Sequence, residues 1–445
     1  MTNQLFRRLL HPTPPAEHPD FGRNLAYTRS GKPFRLLLIG GDIGALSQAR
    51  SFYEAYGVPA SLISRAVTPY HTSSSMFHLR YDDVYTTPDG LVSFINEIAA
   101  LDDSTLLVST SQDPVIVNLT ARRDDLASNV VIPYTTNELI LTVGNKARFA
   151  ELAQKAGIKQ PRTMLMTGGS GKVPAVEALG YPLICKPANG DDLTEVGMEG
   201  QEKVFILASK AEVDDLVRRI DESGFTGEFL FQERIPGPDS QMRILTCYRD
   251  TQGKVRVASY GHSVVEEHEP LLRGNPAVIL TGLDADELGK RISELLDSLD
   301  WVGYANFDIK VDPRDDSPNV FELNPRLGRS NYYLTVSGFN PVELMAEDWV
   351  GGDSEHVVTD TSRKGMYLVT PVVLALAYGH GARKHILQAV LTGRVRNPLI
   401  KVWPGAKCKD LRRAYHMSLS ALNQLRRFHR YYPLSQARRE RQDAL

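Results

Sequence analysis

The sequence predicts a multidomain chain, α/β at its start and α+β through its middle, and three observations predict it. The run FRLLLIGGD, residues 34–42, is continuously apolar and stopped by glycines, as a strand buried on both faces of a parallel sheet reads. From Tyr181 the pattern turns into longer strands separated by turn residues, which suits a mostly antiparallel sheet. After about residue 355 the chain becomes basic, with 17 Lys and Arg against three Asp and Glu over residues 361–445.

The elements follow in order. Residues 1–34 contain the polar, proline-rich HPTPPAEHPD and no apolar h-region, so they are expected to form a flexible lead-in without a secretory signal. Over residues 35–143 the first strand leads into a helix with Leu46, Ala49, Tyr53 and Tyr56 on one face and Gly57 beyond its end. VPASLIS, STLLVST and NVVIPYT supply further strands, and the alternation predicts a parallel α/β layer. Residues 144–355 open with the helix NKARFAELAQKAG, striped by Phe149, Leu152, Ala153 and Ala156. The strands YPLICKP, KVFIL, EFLFQERI, MRILTCY and KVRVASYG follow. Between them sit a helix with a Ser209/Glu212 capping box and a helix striped by Leu288, Ile292, Leu295, Leu296 and Leu299. Residues 356–445 read as a basic, partly helical extension.

Composition narrows the function classes. The 445 residues are 42% hydrophobic and 23% charged, with a net charge of −2, ordinary for a globular chain. Cys185, Cys247 and Cys408 form no C-x-x-C pair, which argues against a disulfide framework or a thiolate metal site and fits a reducing cytosol. The longest apolar stretch, Met366–Tyr378, is too short to span a bilayer. GGDIG does not fit G-x-G-x-x-G, so a dinucleotide oxidoreductase is disfavoured.

The segment GYANFDIKVDPRDDSPNVFELNPRLGRSN carries the chemistry. In ANFDIKV, Asn306, Asp308 and Lys310 alternate with apolar residues and share one face of a strand. In VFELN, Phe321 and Leu323 take one face, and Glu322 and Asn324 the other. Paired as a hairpin, the two strands would bring Asp308, Glu322 and Asn324 together as three oxygen donors, a set that suits Mg²⁺; a solvated face carrying ordinary acids would read the same locally. Lys186 ends the apolar run LICKP, where an ammonium needs an anion or water. Lys146 stands in the first turn of its helix. Gln232, Glu233 and Asp239 surround the Pro-Gly bend of FLFQERIPGPDS. The loop GHSVVEEHEPLLRGN gathers His262, Glu266, Glu267, His268 and Glu269 without a helical H-E-x-x-H, so it reads as a substrate-side loop rather than a zinc site.

In that order these pieces resemble the ATP-grasp superfamily over about residues 140–350. GGDIGALSQARSFYEAYG resembles the opening of the Rossmann-like pre-ATP-grasp domain. The whole chain is similar to the D-aspartate ligase type of carboxylate–amine ligase. The resemblance implies an ATP-grasp fold, ATP as co-substrate and Mg²⁺, as two ions that Mn²⁺ could replace. It assigns Lys146 and Lys186 to the phosphates. Gln232, Glu233 and Ile235 go to the adenine, the last through its backbone, and Asp239 to the ribose. Asp308, Glu322 and Asn324 go to the metal, and Arg329 and Ser330 to a substrate carboxylate. Arg326 would steady the transferring phosphoryl group and, with Lys186, carry the catalysis. The implied reaction joins D-aspartate, or a related acidic amino acid, to an amine on a peptidoglycan precursor in the cytoplasm, with the basic C-terminus touching the inner membrane face and no nucleic acid involved. The alternatives are other amino-acid or peptide substrates, or an inactive nucleotide-binding regulator. The acidic lid that begins at Asn189 and runs past Asp191, Asp192 and Glu195 is a poor phosphate cradle, and no role is assigned to it.

Overall fold

The computed structural model describes residues 16–72, 74–188, 204–270, 272–399 and 411–442. The lid Asn189–Glu199 and Cys408 lie outside them. Three sheets organise the described residues.

The first contains β1 (Ala26–Tyr27), β2 (Pro33–Ile39), β3 (Ala60–Ser64), β4 (Phe77–Tyr81), β5 (Thr105–Thr110) and β6 (Val130–Val131). Their order is β4-β3-β2-β5-β6, parallel throughout, with β1 added antiparallel to β2. The apolar side chains of β2 are buried on both faces, as its unbroken apolar run demands. Because β3 and β5 flank β2 on opposite sides, the ends of β2 and β5 form a topological switch point, where open α/β sheets hold ligands. There Gly40 leads through Gly41 into the helix Ile43–Tyr56, which Asp42 caps by accepting the Ala45 N–H. A Cβ on Gly41 would stand 2.1 Å from Ser64 Oγ, so only glycine fits.

Two features depart from expectation here. The helices Pro88–Ala99 and Asn137–Gly144 and strand β4 were not anticipated. Within residues 16–34, expected to be a flexible lead-in, Phe21 and Ala26 are buried and β1 joins the sheet, while most of the other side chains are exposed. The reason is Arg35, 1% exposed within β2. Its guanidinium donates to the carbonyls of Gly22, Ile98, Ala99, Asp102 and Ser104, and so ties the lead-in to the helix Pro88–Ala99 and the turn behind it.

The second sheet contains β7 (Thr163–Thr167), β8 (Leu183–Pro187), β9 (Phe205–Leu207) and β10 (Glu228–Glu233), all antiparallel, in the order β7-β10-β8-β9. One face, with Leu183, Cys185, Phe229 and Phe231, packs on Val213, Leu216, Val217 and Ile220 of the helix Lys210–Glu222. Ser209 Oγ accepts the Glu212 N–H, while the Glu212 carboxylate accepts from Ala208, one residue before the cap. The opposite face, with Lys186 and Gln232, is left for a cleft.

The third sheet contains β11 (Met242–Arg249), β12 (Val255–Glu266), β13 (Pro276–Leu283), β14 (Gly303–Asp312), β15 (Ser317–Asn324), β16 (Met366–Leu368) and β17 (Val395–Arg396). Its order is β15-β14-β11-β12-β13-β16-β17. Phe307, Ile309, Val320 and Leu323 pack against Phe149 and Ala153 of the helix Lys146–Lys155 and Ile292, Leu295 and Leu296 of the helix Asp286–Ser298. The last two strands come from the segment expected to be a separate basic extension. β16 pairs antiparallel with β13 and β17 adds parallel to β16 at the edge, so part of that segment belongs to the central body. No described helix is long and apolar enough to cross a membrane.

Replacing Arg35 by Met strands several buried carbonyls, and each orphaned polar group costs about 1–3 kcal/mol. The expected outcome is a loss of at least about 3 kcal/mol of stability, read as a lower urea midpoint; an unchanged midpoint would contradict the anchoring role of Arg35.

Candidate active site

The site starts from one register. β14 and β15 pair antiparallel with Asp308 opposite Glu322 and Asn306 opposite Asn324. Adjacent to this point the register shifts: Ile309 pairs with Val320, which leaves Phe321 as an extra, unpaired residue. The bulge changes the expected faces. Val320, not Phe321, joins Leu323 in the core, and the Phe321 ring turns to lie 5.6 Å from Lys186 Nζ, within cation–π reach.

Lys186 reaches the hairpin because alternation along β8 points Cys185 into the core and Lys186 away from it. Leu230 and Gln232 of β10 share its face, through the pairings Leu230–Lys186 and Gln232–Ile184. Lys146 arrives from another element. It is the first residue of its helix, which Asn145 caps through the Ala147 and Arg148 N–H groups. The Lys146 N–H donates to Ala188 O just beyond β8. The two lysines are therefore neighbours, and Lys146 Nζ lies 3.6 Å from Glu322 Oε2.

Burial brings the Lys186 ammonium down to about 8, with Glu322 opposing the fall and Lys146 adding to it. Burial likewise disfavours both carboxylates. At Asp308 the facing Glu322 adds to burial and pushes the group well up. At Glu322 the two lysines outweigh burial and hold the carboxylate ionised. Asn324 Nδ2 donates to Asp308 Oδ2 at 3.3 Å. Two facing, half-buried carboxylates beside a carboxamide oxygen form an all-oxygen donor set, the kind a hard divalent cation takes.

The residues expected around the nucleotide have mixed placements. Gln232 is buried and donates through Nε2 to Thr163 Oγ1 at 3.0 Å. The Ile235 side chain is in the interior, so only its backbone can face a ligand. Glu233 departs from expectation: its carboxylate is held by Arg162 and by Arg314, which leaves only its main chain for an adenine edge. Asp239 Oδ2 accepts from His268 Nε2 at 2.9 Å and from the Glu266 N–H at 3.0 Å. Lys310 Nζ donates to Gly237 O at 2.8 Å and fastens the Pro-Gly bend to β14.

The arginines are paired. Arg326 Nε and Nη2 each stand 2.7 Å from the Asp113 carboxylate in a bidentate fork, and Nη2 lies 3.4 Å from Asn324 Oδ1. Asp113 begins the helix Asp113–Ala121 after β5, so the switch point of the first sheet meets the hairpin of the third. Arg329, expected free for a substrate carboxylate, donates through Nη1 to Glu267 at 2.7 Å. Ser330 is 2% exposed. Sequence reasoning missed Asp113, whose only signal is an acid one turn past a strand end. It also left Glu266 without a role; burial first, then Asp239 and Asp308, pushes that carboxyl well up.

Residues 145–337 match the family described as carbamoyl-phosphate synthase L chain, ATP binding domain. A D-aspartate ligase of Enterococcus faecium is 28% identical over 329 residues, covering 71% of this chain and 76% of that protein. The matched segment is an ATP-binding domain of the ATP-grasp type. The fold agrees with solved relatives. The biotin carboxylase domain of Hydrogenobacter thermophilus 2-oxoglutarate carboxylase, in complex with MgADP, ADP and bicarbonate, superposes with a TM-score of 0.55 at 13% identity, over 75% of this chain and 73% of that one. An L-amino acid ligase of Bacillus licheniformis gives 0.50 at 16% identity, over 71% and 74%. The matched family is an ATP-binding one, and the solved biotin carboxylase domain holds MgADP.

Lys186→Met removes the buried ammonium of the ATP-grasp domain while keeping its apolar stem. Losing a charge-assisted contact weakens Mg·ADP binding roughly 10- to 100-fold, measurable by calorimetry. Unchanged affinity would remove Lys186 from the phosphate site.

Proposed function

We propose that the protein activates the carboxylate of D-aspartate, or of a related acidic amino acid, and joins it to an amine on a peptidoglycan precursor. The observation that carries this reading is the cleft itself. Two lysines from separate elements meet two facing acids of β14 and β15, with Arg326 and Arg329 beside the switch point of the first sheet. The similarity to a D-aspartate ligase over most of both chains supports the choice of acid.

The chemistry follows from charge. A carboxylate is a poor electrophile; phosphoryl transfer from ATP makes an acyl-phosphate that an amine can attack, with phosphate leaving. Such transfer asks the protein mainly for positioning and for neutralisation of oxyanions. In this reading Lys146 and Lys186 hold the phosphates, Gln232 and the main chain of Glu233 and Ile235 line the adenine, and Asp239 takes the ribose. Asp308, Glu322 and Asn324 hold two Mg²⁺ ions, which Mn²⁺ can replace and which supply charge neutralisation when bound. Arg326, preorganised by Asp113, steadies the transferred group, and Arg329 and Ser330 receive the substrate carboxylate after Glu267 yields. Residues 35–143, 144–355 and 356–445, after the lead-in 1–34, are the working division into domains, the last lending its two strands to the sheet of the second.

We place the enzyme in the cytoplasm with its basic end at the inner membrane face. Phe428 and Tyr432 of that end are buried. The contact therefore rests on the exposed Arg426, Arg430, Arg438 and Arg439, each basic residue near an anionic surface being worth about 1 kcal/mol. Reversing Arg426 and Arg430 to Glu is expected to release the protein from vesicles containing phosphatidylglycerol; equal sedimentation of both proteins would refute the contact.

The reaction is tested by phosphate release from ATP across D- and L-amino acids, with and without a muropeptide nucleotide. D-aspartate is expected to stimulate release, and Glu322→Gln to abolish it in a folded protein. Stimulation by non-acidic amino acids alone would refute the substrate class, and full turnover in Glu322→Gln would refute the metal assignment.

A further inference from the structure

The C-terminal helices lie outside the matched domain, yet they touch the site. The helix Leu411–Tyr431 is followed by Tyr432 and the helix Leu434–Gln442. Tyr432 is 1% exposed, and its ring stacks on the His268 imidazole at 3.5 Å between centroids and 7° between planes. Phe428 meets the same imidazole edge-on. The stack is itself held on both sides: the Tyr432 hydroxyl donates to Glu440 at 2.7 Å, and Tyr378 donates to the Tyr432 carbonyl at 2.8 Å. One helical turn earlier, Arg427 pairs with Glu269 at 2.6 Å.

These contacts converge on the turn after β12, whose other side faces the cleft. His268 Nε2 holds Asp239 Oδ2 at 2.9 Å, and Glu267 holds Arg329. An imidazole can rotate about two bonds. A planar stack on one face and a hydrogen bond at one edge leave it a single orientation, which fixes the carboxylate it holds. His268 uses one oxygen of Asp239; the second is left to accept from a diol.

We propose that Tyr432 is a positioning residue of the nucleotide site: by clamping His268 it sets the orientation of Asp239 and hence the grip on the ribose hydroxyls. The inference rests on the reading of Asp239 as the ribose acid. It gives the C-terminal helices a task in the ATP-grasp site besides packing.

The test compares the affinities of the full-length protein for Mg·ADP and for Mg·2′-deoxy-ADP by calorimetry. Wild type is expected to prefer ADP by about tenfold, the worth of one hydrogen bond to a charged group. Tyr432→Ala should bring the preference below about threefold while affinity for the deoxy nucleotide barely moves. Tyr432→Phe keeps the ring and the Tyr378 tether, loses the Glu440 bond, and should hold the preference above about threefold, and His268→Leu should match Tyr432→Ala with the helices intact. Where Tyr432→Ala loses its folded state, Tyr432→Leu replaces it, keeping bulk without a ring. In an Asp239→Asn background the Tyr432 substitution should change the preference no further. A wild-type preference that survives in the folded Tyr432 and His268 variants overturns the inference and leaves the ribose reading standing. No preference in wild type overturns the ribose reading, and the inference with it.

Discussion

The pairing of Asp308 with Glu322 across β14 and β15 is the constraint on which the site depends. It sets two carboxylates face to face in a buried place, an arrangement that self-repulsion and desolvation both oppose. Lys146 and Lys186 relieve part of that cost from the opposite wall, and a divalent cation would relieve the rest. Each lysine reaches the hairpin by a different route, one from a helix start and one from a strand end. The hydrogen bond from the Lys146 N–H to Ala188 O holds those two routes together. The charge balance of the cleft is thus a property of three elements at once.

The bulge at Phe321 belongs to the same logic. A regular hairpin would bury Phe321 and leave Lys186 facing only charges. One extra residue in β15 sends the ring to the lysine side and lets Val320 fill the core position. The result is an apolar wall next to a cation, the kind of surface on which a flat, polar-edged ring can lie.

Around this centre one apolar core runs from the first sheet through the third to the C-terminal helices, and long-range contacts lock the cleft residues onto it. Asp113 grips Arg326 across more than two hundred residues of sequence. Lys310 fastens the bend after β10, and Tyr432 reaches back to His268. Each links a residue near the cleft to an element whose own packing is settled elsewhere. The C-terminal helices illustrate the point: their arginines suggested a solvent or membrane surface, but Phe428 and Tyr432 lie inside, against Tyr378 and His268. A helix with both kinds of residue can present one face to water and bury the other.

The sequence by itself determined what local patterns can carry. The unbroken apolar run of β2, the alternation along β14, the capping residue Ser209, and the order of K-P, Q-E-x-I-P-G, D-x-K and F-E-L-N-P-R made the fold and the meeting of the two lysines with the hairpin acids legible, because period and spacing are written in neighbouring residues. Only the tertiary structure decided the partners. A single sequence does not say that Phe321 is bulged, that Glu233 turns to Arg162 and Arg314, or that Arg326 and Arg329 are engaged by Asp113 and Glu267. Nor does it say that residues 16–34 are pinned by Arg35, or that a helix near residue 430 rests on a turn near 268. Hydrogen bonds and ion pairs act over a few ångströms, and only the folded chain brings residues so distant in sequence within that range.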